Sequence, residues 1–233
     1  MPIVLDPSLP PSLYPLAWLV GSWHGTGAAQ LPGPDGALDG RRIDQNLVCS
    51  PSDDGTLTWV MSTDLVDAPA PLPPTSVFSG AAQDTPQQQG TGERELLVRE
   101  KGCWRVGDPL PGQDLEAAQD AAPGDPAGVI SYAVQLELEG SGHAGGQIWT
   151  GEVRGPRIQI ALATPEAAAE HPDARYPGLL GSRMFGLVGG RLMWLWERPT
   201  DTTIAPPAQG PDAEASEDEN GLTSFLSVEL DRG

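Results

Sequence analysis

Between residues 132 and 139 the side chains alternate: Tyr132, Val134, Leu136 and Leu138 are apolar, with Ala133, Gln135, Glu137 and Glu139 standing between them. A period of two puts every second side chain on one face of an extended chain, so this segment is a strand with one buried and one wet face. The same period returns in Leu57, Trp59, Met61, Thr63 and Leu65, and again in Ile158, Ile160 and Leu162. Turn-forming residues separate these runs, and Arg154-Gly155-Pro156 and Gly189-Gly190 mark tight hairpins. Ten strands are expected, near 22–30, 41–50, 56–66, 93–106, 129–139, 144–154, 157–163, 182–188, 191–198 and 222–231. A meander of that number closes into a barrel and leaves no exposed sheet edge.

Helical periodicity is scarce. The best case is Ser12 to Leu19, where Leu13, Leu16 and Leu19 fall three apart after a serine-capped, proline-rich start, enough for a short helix that plugs a barrel end. Residues 67–92, 107–128 and 199–221 are rich in Pro, Gly, Gln, Asp and Ala and exceed the usual length of strand connections, so they are expected to be mobile loops. All 233 residues fit one domain, with the barrel spanning about 16–231.

Charge narrows the partners. Thirteen basic against 32 acidic residues give −19, and Lys101 is the single lysine. Nucleic acid and anionic membrane surfaces would be repelled. Asp212, Glu214, Glu217, Asp218 and Glu219 lie in a stretch poor in apolar residues, which reads as a solvated loop. A different reading makes that loop an interaction module for a basic partner. The N-terminus lacks a basic leader and is broken by Pro7, Pro10, Pro11 and Pro15, and no apolar run reaches the length of a membrane span. A soluble, cytoplasmic protein is expected. Cys49 and Cys103 lie outside any C-x-x-C pattern and are expected as buried free thiols.

Catalytic patterns are thin. Neither G-x-S-x-G nor H-E-x-x-H occurs, and no glycine-rich turn leads from a strand into a helix, which excludes dinucleotide binding. Glu93, Glu95, Glu100, Glu137, Glu139 and Glu152 fall on expected strands and read as solvated outer faces rather than paired acids.

The segment Leu16 to Gly27 contains a G-x-W-x-G-x-G pattern, Gly21, Trp23, Gly25 and Gly27, directly after the short apolar helix. It resembles the opening of the nitrobindins. Glu100 to Arg105 is similar to that family's fourth strand, Gly151 to Ile160 to its sixth-to-seventh hairpin, and Arg183 to Val188 with Leu192 to Trp196 to its eighth and ninth strands. The resemblance implies an all-β, ten-stranded antiparallel up-and-down barrel, similar to lipocalins and fatty-acid-binding proteins, that holds ferric haem b through one histidine on its last strand.

Against the family's final pattern, Leu-x-x-His-x-Ser/Ala-x-x-Leu, this chain reads Leu222 to Leu230 with Phe225 at the histidine position. A phenyl ring has no lone pair for iron. The lysine that members carry before strand eight falls at Tyr176, which removes a haem contact unless Arg175 supplies it. His24, His143 and His171 sit in turn or glycine-rich settings that suggest surface positions, and Cys49 and Tyr176 have ligating chemistry without a spacing that favours it. Strict alternation puts Leu226, Val228 and Leu230 on one face and Phe225, Ser227 and Glu229 on the other, so Phe225 faces inward only if the outer face is covered or a bulge shifts the register.

The expected function is therefore that of a haem-free, non-catalytic nitrobindin-like barrel with no cofactor, filled by side chains or enclosing a small apolar ligand. The alternative is a haem-dependent peroxynitrite isomerase or nitric-oxide-binding protein that uses another iron ligand. A homodimer is as open as a monomer.

Overall fold

The computed structural model describes residues 9–33, 36–68, 90–122, 125–140, 146–164, 179–199 and 222–233. Ten strands follow in order: β1 Gly21–Pro32, β2 Leu38–Pro51, β3 Leu57–Val66, β4 Arg94–Pro109, β5 Ser131–Gly140, β6 Gln147–Arg154, β7 Arg157–Ala163, β8 Leu179–Val188, β9 Arg191–Pro199 and β10 Leu222–Arg232. Each pairs with its neighbours in the chain, and β10 returns antiparallel to β1, so the sheet closes into a ten-stranded barrel. The two expected hairpins are present: Gly155 has φ +53°, and Gly189 and Gly190 have φ +61° and +88°, the left-handed pair that a two-residue turn between twisted strands needs.

Because the strands form a simple meander, connections alternate between two ends of the barrel. Those from β1 to β2, β3 to β4, β5 to β6, β7 to β8 and β9 to β10 share one end, which includes the three longest breaks in the strand order apart from β4 to β5. At the opposite end a 3-10 helix, Pro11–Leu19, precedes β1 and buries Leu13, Leu16, Trp18 and Leu19 against the core, next to β4 and β6. Its geometry differs from expectation. No side chain caps it, so Ser12 is not an N-cap, and Pro11 and Pro15 withhold two backbone donors. The three-residue spacing of Leu13, Leu16 and Leu19 suits the three-residue turn of a 3-10 helix and keeps all of them on one face.

Residues 107–128, read from sequence as a loop, hold more structure than expected. β4 runs on to Pro109, and α1, Leu115–Asp120, follows Asp114, whose carboxylate accepts from the Ala117 N–H at 2.9 Å. A 3-10 turn, Pro126–Gly128, completes the segment. Most of 67–92 and nearly all of 199–221, with the acidic cluster, lie outside the described residues.

The barrel interior is a continuous core. Leu47, Leu57, Trp59, Trp104, Leu136, Ile158, Phe185, Leu192, Leu226 and Leu230 are all buried within it. No helix among the described residues is long and apolar enough to cross a membrane.

Candidate functional site

The glycine-tryptophan motif closes the barrel. A Cβ at Gly25 would stand 2.2 Å from the Glu229 carbonyl oxygen, and one at Gly27 would stand 2.1 Å from that of Ser227. Only glycine permits β1 and β10 to cross this closely. Gly21 takes φ +129° to turn the chain out of the helix. Trp23 is buried, and its indole N–H donates to the Leu19 carbonyl at 2.9 Å. Arg232, on the last strand, lies 4.3 Å over the Trp23 ring and donates to the carbonyls of Val20 (2.6 Å) and Trp18 (2.8 Å). The motif therefore welds helix, first strand and last strand together at the plugged end.

Phe225 lies at the other end, and its placement resolves the conflict on the last strand. Between β10 and β9 the register passes from Ser224 opposite Glu197 to Leu226 opposite Trp196, so Phe225 is the extra residue of a bulge. One inserted residue lets Phe225 and its neighbour Leu226 both be buried, with Val228 and Leu230 continuing the inner face. The Phe225 ring meets Trp196 edge to face at 5.0 Å. The guanidinium carbon of Arg198 stands 3.4 Å from the Phe225 centroid and 4.2 Å from that of Trp196. Burial, and then the nearby Arg183 cation, bring the Arg198 pKa down to about 10, which still leaves it charged at neutral pH.

Deeper in the barrel Arg183 is fully buried and lies 3.9 Å over Trp196 and 4.3 Å over Trp149. It donates two parallel hydrogen bonds to Glu100, at 2.8 and 2.7 Å. Glu100 therefore corrects the reading that puts it on a solvated outer face: it is buried, on the same face of β4 as Val98 and Trp104. Below this pair Trp59, Trp104, Phe185 and Trp194 pack on one another, with Phe185 stacked on Trp194 at 5.3 Å. The Trp194 indole donates to Gln45 Oε1 at 2.7 Å, and Gln45 Nε2 donates to Thr63 at 2.7 Å. The indole N–H groups of Trp59 and Trp104 are buried without a partner. Sequence reasoning passed over Arg183 and Arg198. Both continue an inward-facing alternation, Arg183 with Phe185 and Arg198 with Trp194 and Trp196, and a cation inside such a series is the signal.

Candidate iron ligands are sparse at this end. His24 is exposed on β1, beside the C-terminus rather than in the interior. Burial raises the Cys49 thiol well above its ordinary range, so it stays protonated, and Cys103 is half-buried. His143, His171, Arg175 and Tyr176 lie outside the described residues. Among the described residues no group of three His, Cys, Asp or Glu side chains could hold a metal ion. A surface pocket of about 300 Å3 at the β1 to β2 turn is lined by Leu31, Pro32, Gly33, Asp39 and Arg41, apart from the aromatic cluster.

A family model described as a THAP4-like, heme-binding beta-barrel domain matches residues 12–210, a span that stops short of β10 and Phe225. The ferric nitrobindin-like protein of Beutenbergia cavernae is 30% identical, covering 83% of this chain and 89% of its own length. The peroxynitrite isomerase of Kocuria rhizophila is 24% identical, covering 86% and 89%. The crystal structure of Rv2717c from M. tuberculosis aligns over 97% of this chain and 99% of that chain, with 18% identity and a TM-score of 0.48.

Proposed function

The chain belongs to the THAP4-like, heme-binding beta-barrel family, and from that premise we propose that it is a haem-free, non-catalytic member whose barrel takes a small apolar ligand in place of the cofactor. The observation that carries this reading is what surrounds Phe225. A haem iron held from the protein side needs a nitrogen, oxygen or sulfur lone pair. Phenyl has none, the Trp196 indole N–H is only a donor, and the protonated Arg198 guanidinium has no acceptor to offer. The donor set at this position does not fit an iron.

The interior below is packed with indole and phenyl rings and one closed ion pair, which supplies apolar surface rather than acid-base machinery.

The rival reading is a haem-dependent peroxynitrite isomerase, the name carried by the Kocuria relative. It requires an iron ligand from some other residue. Titrating the purified protein with hemin separates the two. The expected result is a broad, unsaturable absorbance of loosely associated hemin; a sharp Soret band complete at one equivalent overturns the haem-free reading.

A further inference from the structure

The methionines of the barrel stand in two settings. Met61 is buried, and its sulfur accepts from Gln45 Nε2 at 3.3 Å. Met184 and Met193 lie on the outer face, each 37% exposed. On β8 Arg183 and Phe185 point into the core, so Met184, Gly186 and Val188 stand outside. The register sets Met193 of β9 on one side of Gly186 and Arg157 of β7 on the other. One outward glycine is thus framed by Met184 and Val188 along its own strand and by Arg157 and Met193 across it.

Gly186 is not a glycine for lack of room. A Cβ at Gly25 or Gly27 would run into backbone, whereas one at Gly186 would come no nearer than 3.9 Å to an atom beyond its chain neighbours, the Pro156 carbonyl oxygen. The missing side chain leaves the outer face open between Arg157 and Met193. Beside this opening the Arg157 Nη2 donates to the Met184 sulfur at 3.7 Å and to Gln159 Oε1 at 3.2 Å. None of the ion pairs among the described residues includes Arg157, so no described carboxylate cancels its charge. The hairpin residues next to the opening, Gly155-Pro156 and Gly189-Gly190, are all described.

A thioether is a weak hydrogen-bond acceptor and a soft nucleophile, and oxidation turns it into a polar sulfoxide whose oxygen accepts more strongly. The guanidinium beside Met184 therefore gains more from the oxidised side chain than from the reduced one. We infer that Met184 is a site of two-electron oxidation by hydroperoxides, assisted by Arg157. The sulfur lone pair takes the terminal peroxide oxygen, and the O–O bond breaks with its electron pair passing to the other oxygen. The hydrogen of the transferred oxygen moves to that leaving oxygen, which departs as an alcohol, or as water from hydrogen peroxide. Sulfur loses two electrons and the peroxide gains them. Arg157 donates to the leaving oxygen while negative charge builds there, and afterwards to the sulfoxide oxygen. Met193 is the built-in comparison, equally exposed but with no described donor at its sulfur. The site lies on the outer wall, so it stands whether or not the interior holds haem.

Exposing the full-length protein to hydrogen peroxide, and following each methionine by peptide mass spectrometry, tests this. Met184 is expected to oxidise about fivefold faster than Met193, the factor of one hydrogen bond, with Met61 slowest. Arg157→Ala should bring Met184 down to the Met193 rate, and Arg157→Lys, which keeps a cationic donor, should preserve part of the advantage. Peracetic acid, whose acetate leaves without help, should narrow the ratio of the two rates towards one. Equal rates with hydrogen peroxide, an unchanged Met184 rate in Arg157→Ala, or the same ratio with both oxidants would each overturn the inference. Should Arg157→Ala not fold, the two oxidants on the native protein decide.

Discussion

Arg198 holds its guanidinium carbon 3.4 Å from the centroid of the Phe225 ring, a fixed positive charge over the residue that we propose stands in place of a haem histidine. Phe225→His is expected to give partial haem uptake at best, because a single exchange restores the iron ligand without the lysine contact that falls at Tyr176. Hemin titrations of the native protein and the variant check this. Equal affinity in native protein and Phe225→His would refute the ligand argument.

The Glu100–Arg183 pair is buried, bidentate and framed by Trp149 and Trp196. Removing one partner leaves the other charge without compensation in the interior. Glu100→Gln is therefore expected to destabilise the fold by about 3 to 5 kcal/mol, read from urea unfolding. A loss below about 1 kcal/mol would mean that Arg183 finds another partner.

Gly27→Ala sets a methyl group into the backbone of β10, 2.1 Å from the Ser227 carbonyl. The strands must separate at the barrel's closing seam, for a loss of about 3 kcal/mol or more. Gly40→Ala on β2 is the control: its Cβ would come no nearer than 3.5 Å, to the flexible end of Gln30, and about 0.5 kcal/mol is expected. Equal losses at the two sites would show that backbone approach is not what the motif provides.

Cys49 gives the stability a pH dependence. Burial raises its thiol pKa above the ordinary value of 9.0, so the folded chain keeps a proton that the unfolded chain releases. Its contribution is complete below pH 9 and is lost as pH rises above it, by about 1.4 kcal/mol per pH unit. Unfolding curves should show a loss of about 1.4 kcal/mol in total between pH 8 and 10 in the native protein from this group, and a correspondingly shallower fall in Cys49→Ala. Parallel slopes would place the titration elsewhere.

Much of this fold is readable along the chain. Alternation marks β3, β5 and β7 plainly because one face is buried and the other wet. Strand ends are less visible: β2 begins at Leu38 rather than near 41, since its ladder continues through Asp39 and Gly40, which carry no burial signal. The site is less legible. Phe225 reaches the interior through a bulge that no period predicts, so pattern and resemblance disagree until the register is seen. Glu100 looks like one more strand acid because its partner lies 83 residues away on β8, a pairing only the closed barrel creates. Arg198 was within reach, as a cation continuing the alternation of Leu192, Trp194 and Trp196.

The most direct test of the central claim is the absorption spectrum and iron content of the full-length protein purified from haem-replete cells. The account predicts colourless protein with no Soret band and far less than one iron per chain. Red protein carrying one haem iron per chain would contradict it.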